Sequence, residues 1–86
     1  MIITGSLESS DCLITLTPKN SLEIEIESIV YDAFGKQIEA VIKKTLSAHN
    51  LSNVHVLCQD KGALDYTIIG RLEAAIKRFK EANHES

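Results

Sequence analysis

One proline and four glycines in 86 residues leave little material for a long linker, and there is no low-complexity tract. Two cysteines, Cys12 and Cys58, are too few for a disulfide framework and form no Cys-x-x-Cys pair. Each lies in an apolar alternating stretch, where a reduced thiol packs as a small hydrophobe. No apolar run approaches the roughly 20 residues that span a bilayer, so no membrane partner is expected. The start, Met1-Ile2-Ile3-Thr4-Gly5, has neither the basic n-region nor the long h-region of a secretory signal, and a cytoplasmic location is expected. His49, His55 and His84 are dispersed, and none stands at metal-ligand spacing with a cysteine or carboxylate, so no metal site is expected. A Cys58–His55 nucleophilic pair is disfavoured, because positions three apart on a strand face opposite sides. No segment assembles nucleophile, base and oxyanion donors, and no catalytic residue is assigned.

What is present fits one domain over residues 1–86. A chain of this size buries roughly 60–65% of its unfolded surface, enough for a single core. Apolar residues make up 44% and charged residues 24%, an ordinary globular balance. The net charge of −3 is unevenly spread. Residues 1–32 carry six acids and one base, and residues 33–86 carry eight bases and six acids. So acidic an N-terminal third repels phosphates, which disfavours nucleic acid and favours a basic protein surface as partner. For Glu23, Glu25 and Glu27 the simpler role is to keep a sheet face soluble.

Periodicity supplies the elements. Cys12, Ile14 and Leu16 alternate with Leu13, Thr15 and Thr17 in a strand that ends at Pro18. After the polar turn Lys19-Asn20-Ser21, Leu22, Ile24 and Ile26 alternate with three glutamates, and the short link suggests an antiparallel hairpin. Val30, Phe34, Ile38, Val41, Ile42 and Leu46 then recur at helical spacing, predicting a helix from about Asp32 to Ala48. Asp32 or Ser28 is suited to cap its start and Asn50 its end, and Gly35 in its first turn points to close packing. Val54, Val56 and Cys58 form a third strand. Leu64, Ile68, Leu72, Ala75, Ile76 and Phe79 form the stripe of a second helix, although Tyr66-Thr67-Ile68-Ile69 has strand-like character. Glu73 and Lys77 are placed for an i,i+4 pair. Residues 82–86 are expected to fray. The expected fold is α+β: a small three-stranded sheet with two amphipathic helices on one face, in the order strand, strand, helix, strand, helix. A parallel link from the second strand to the third would cross over through the first helix.

Two polar segments remain. Asp60-Lys61-Gly62 resembles a phosphate-holding turn only weakly and reads better with Asp60 as a helix cap. Gly5-Ser6-Leu7-Glu8-Ser9-Ser10-Asp11 is a hydroxyl- and carboxylate-rich lead-in to the first clear strand. Composition and spacing do not choose among its three serines.

Both segments resemble the acyl carrier (gamma) subunit of citrate lyase. Residues 5–11 are similar to that family's Gly-Thr-Leu-Glu-Ser, then Ser or Gly, then Asp. Asp60-Lys61-Gly62-Ala63-Leu64-Asp65 is similar to its Asp-Asp-Lys-Gly-Ala-Leu-Asp/Glu, and Arg71-Leu72-Glu73-Ala74-Ala75 and Phe34-Gly35 with Ile38 continue the likeness over nearly the whole chain. The resemblance implies a non-catalytic carrier with a phosphoribosyl-dephospho-coenzyme A arm joined by a phosphodiester to Ser9, with Ser10 as the fallback. It implies acetyl and citryl thioesters on that arm, alpha and beta subunits that do the chemistry of citrate cleavage, and a holo-carrier synthase that attaches the arm. Glu8 and Asp11 are candidates for recognition by basic partner surfaces. Ser6 replaces the usual Thr, Gln59 replaces the usual Asp, and the longer C-terminal tail of many relatives is not matched. The carrier of malonate decarboxylase and an unmodified interaction domain are the alternatives.

Overall fold

In the strand Cys12–Pro18 the inward residues Cys12, Ile14 and Leu16 are fully buried, and in Val54–Asp60 the same holds for Val54, Val56 and Cys58. This alternation places one apolar face on each strand, and two helices cover it. The computed structural model describes residues 1–83. Its elements are β1 (Ile2–Gly5), β2 (Cys12–Pro18), β3 (Glu23–Ser28), α1 (Tyr31–Ala48), β4 (Val54–Asp60) and α2 (Asp65–Asn83). The expected fraying of the tail falls largely outside the described residues; Ala82 and Asn83 still belong to α2, and Asn83 Nδ2 donates to the Phe79 carbonyl at 2.9 Å.

The sheet corrects the expected three-stranded one. It has four strands in the order β1-β2-β4-β3, so the chain runs strand, strand, strand, helix, strand, helix. β1 pairs antiparallel with β2, from Ile2 opposite Leu16 to Gly5 opposite Leu13. Its four residues are too few to show a period, and its two isoleucines are adjacent rather than alternating. What fixes it is tertiary: buried Thr4 donates its hydroxyl to the Arg71 carbonyl in α2 at 2.7 Å.

The expected hairpin between β2 and β3 is also absent. β4 lies between them, antiparallel to β2 and parallel to β3. Four residues reach about 13 Å, enough to step across one strand at a spacing of about 4.8 Å. β4 suits the interior because every inward residue from Val54 to Asp60 is buried. β3, with Glu23, Glu25 and Glu27 facing outward, suits the edge. The three carboxylates meet Lys19, His55 and Gln59 respectively.

The core joins the inward strand residues to Ile38, Ile42 and Leu46 of α1 and to Ile68, Leu72, Ala75, Ile76 and Phe79 of α2. Phe34 and Leu64, which their spacing places in the stripes, are 49% and 59% exposed and flank a groove at the N-terminal ends of the two helices. The strand-like Tyr66–Ile69 stretch is helical because Ile68 is drawn fully into the core. Gly35 packs under the Tyr31 ring, where a Cβ would approach within 2.6 Å. Val30 stands at the N-cap of α1 without a side-chain cap, and Ser28 Oγ accepts instead from the Val30 N–H at 3.1 Å. Asn50 closes the other end with φ +55°. Glu73, expected to pair with Lys77, reaches His49 Nε2 at 3.0 Å.

Candidate functional site

The six residues between β1 and β2 form a tied loop. Gly5 leaves the strand at φ +92°, and a Cβ there would sit 1.9 Å from the Cys12 carbonyl oxygen, so no side chain fits. The Ser6 N–H donates to that same oxygen at 3.1 Å. The chain then reverses over Glu8-Ser9-Ser10-Asp11, where the Asp11 N–H donates to the Glu8 carbonyl at 3.1 Å. Ser9 and Ser10 are the central residues of this turn, and Ser10 holds φ +67°, the left-handed conformation that the third position of a type II turn demands.

Asp11 organises the loop. Its carboxylate accepts from Arg71 Nε at 3.1 Å and Nη2 at 2.8 Å, from Ser6 Oγ at 2.7 Å and from the Cys12 N–H at 2.7 Å. The Arg71 fork, then Ser6, then the Cys12 amide hold this carboxyl well below the usual carboxylate range, and the same pairing raises Arg71. Ser6 Oγ in turn accepts from the Glu8 N–H at 3.2 Å.

The second polar segment meets the first at this end of the sheet. The Ser10 N–H donates to the Lys61 carbonyl at 2.8 Å, and the Lys61 N–H donates to the Asp11 carbonyl at 2.9 Å. Asp60 is 1% exposed; it accepts from Ser28 Oγ at 2.7 Å and from the Ala63 N–H at 2.9 Å. It therefore caps the turn over residues 60–63, rather than the helix, which starts only at Asp65. Gln59 lies on the other face of β4 and donates to Glu27 at 3.2 Å.

Ser9 and Ser10 are exposed, and among the described residues neither side chain makes a hydrogen bond, whereas Ser6 is engaged with Asp11. Glu8 is exposed, and Asp11 is held by Arg71. Arg71 and Thr4 escaped the reading from sequence. Arg71 is 60 residues from Asp11, and its one signal was its place in Arg71-Leu72-Glu73-Ala74-Ala75, which continues the family likeness. Cys12 and Cys58 are both buried and free, and the influence of the Cys12 thiol together with burial pushes the Cys58 thiol up. Cys58 and His55 face opposite sides of β4. Among the described residues no three His, Cys, Asp or Glu side chains gather as a metal site, and no helix is long and apolar enough to cross a membrane.

The chain is similar to known proteins over most of its length. The family model described as malonate decarboxylase delta subunit (MdcD) matches residues 1–79. The citrate lyase acyl carrier protein of Treponema denticola is 38% identical over 79 residues, covering 92% of this chain and 91% of that protein. Those of Halothermothrix orenii and Fusobacterium nucleatum are 40% and 42% identical, each covering 94% of this chain and 87% and 88% of their own lengths. No solved structure matches.

Proposed function

Because this chain belongs to the citrate lyase acyl carrier protein family, we propose that its Ser9 hydroxyl bears a phosphoribosyl-dephospho-coenzyme A arm through a phosphodiester. The observation that carries this reading is the exposed apex of the Glu8–Asp11 turn, clamped from behind by Arg71 and Lys61. An attachment serine must enter the active site of a transferase, so a surface turn with fixed backbone suits it. The residues fit such a group: Ser9 has a free hydroxyl, and the space around the apex is open to solvent. Ser6 is the poorest of the three candidates because its hydroxyl already serves Asp11 and the Glu8 amide. Ser10 is the fallback, but its φ of +67° favours glycine, and the family pattern admits glycine there.

The arm supplies a terminal thiol that holds acetyl or citryl groups as thioesters. The chain's own part is to present the arm. Gly5, Ser6, Asp11 and Arg71 keep the turn in one conformation, so the tether leaves the protein from a defined point. No base is hydrogen-bonded to Ser9 among the described residues, so the holo-carrier synthase brings the base that activates the hydroxyl. Glu8, exposed beside Ser9, and to a lesser degree Asp11, whose charge Arg71 offsets, serve recognition by basic surfaces of the synthase and of the alpha and beta lyase subunits. The protein works in the cytoplasm.

The name of the matching family model favours a second reading, the carrier of malonate decarboxylase. Co-purification separates the two: we expect citrate lyase subunits, and recovery with decarboxylase subunits would select the other. Intact mass after co-expression with the modifying enzymes tests the carrier reading itself. Wild type should gain the mass of the arm and Ser9→Ala should not; a wild type that stays unmodified overturns it.

A further inference from the structure

Beside the attachment turn lies a groove of about 320 Å³, with Val30, Phe34 and Ile38 on its α1 side and Gly62, Ala63 and Leu64 on the other. We propose that it receives the uncharged distal end of the Ser9-linked arm, a pantetheine-type chain ending in a thiol or a short neutral acyl thioester; this rests on the carrier reading above.

Three observations point to this occupant. The first is connectivity. The Ser10 N–H bonds the Lys61 carbonyl at 2.8 Å and Gly62 follows directly, which puts Ser9 within roughly 13 Å of the groove wall. Any flexible tether on Ser9 thus samples this groove at high effective concentration. The second is chemistry. The walls are apolar, and Phe34 and Leu64 leave about half their surface uncovered, an arrangement that small-molecule sites share. The third is charge. Asp65, held at 3.1 Å by Gln37 Nε2 on α1, and the buried Asp60 both line the groove. These carboxylates repel phosphates and carboxylate-bearing acyl groups, while Asp65 can accept from the amide N–H groups of a pantetheine chain. The groove therefore selects the neutral end of the arm and leaves its phosphates and a citryl group, with its two free carboxylates, outside. A thioester seated there is withdrawn from water, and one bearing citryl is presented to a partner.

The test uses the full-length carrier, loaded and acetylated with a ¹³C-labelled acetyl group, its loading verified by intact mass. We expect nuclear Overhauser contacts from the acetyl methyl to Phe34, Ile38 and Leu64, and amide shifts over residues 62–64 relative to the unloaded chain. Deacylation by hydroxylamine should quicken about fourfold in Leu64→Glu and Phe34→Glu, the worth of one buried methyl group. Both sites are exposed enough for the fold to persist, which the amide spectrum checks. A fully loaded carrier with no such contacts overturns the proposal, as do unchanged deacylation rates or groove signals that move only when a lyase subunit is added. A chain that takes up no arm overturns the carrier reading instead, so the two failures are distinct.

Discussion

An alanine at position 5 would hold its Cβ 1.9 Å from the Cys12 carbonyl oxygen at a φ of +92°, so the loop must open or the pairing of β1 must slip. Left-handed backbone alone costs a side chain about 1–2 kcal/mol. Gly5→Ala should lose at least that much in denaturant unfolding, and an unchanged midpoint would show that the loop is not held as described. Ser10 presents the opposite case: at φ +67° it already carries such a cost, and Ser10→Gly should recover up to about 1 kcal/mol. Asp11 adds a pH dependence whose sign is fixed. Its folded-state pKa is depressed by Arg71, so the pair's stabilisation is fully present above the ordinary aspartate value of about 3.9. It is lost progressively as pH falls below that value toward the depressed one. Wild type should therefore lose more stability than Asp11→Asn between pH 6 and pH 3, measured by urea unfolding. An equal loss in both would remove Asp11 from the account.

The elements that were legible in the sequence are those with a full period. α1 starts one residue before its expected position and ends at Ala48 as read, because Ile38, Ile42 and Leu46 repeat often enough to fix a face. The inward faces of β2 and β4 were legible for the same reason. β1 was not, because four residues carry no period and Thr4 is held by a partner 67 positions away. Strand order was equally hidden, since alternation says which face is buried but not which neighbour pairs. The site divides likewise. The serine turn lay in the polar motif, but the Asp11–Arg71 clamp joins residues 60 apart and has no local signature. In α2, Gly70 faces open space, so Gly70→Ala should stabilise by about 0.5–1 kcal/mol through helix propensity. Leu72, one turn from Ile68 and fully buried, should cost about 2–5 kcal/mol as Leu72→Ala. Thermal melts of the two variants check both signs.

The whole molecule separates a stable scaffold from one working end. The helices and sheet share a single core, and both polar motifs converge where β2 begins and β4 ends, at the Ser10–Lys61 bond. Two exposed apolar side chains at the same end, Phe34 and Leu64, flank the groove that the proposed arm can reach. Among the described residues the Ser9 side chain makes no hydrogen bond, so Ser9→Ala should melt like wild type. The identity of the residue that carries the proposed arm belongs to this scale. Tandem mass spectrometry of the tryptic peptide ending at Lys19, from carrier loaded by its modifying enzymes, reads that identity directly. The arm mass should fragment with Ser9; its appearance on Ser10 or Ser6, or a peptide of unmodified mass, would contradict the account.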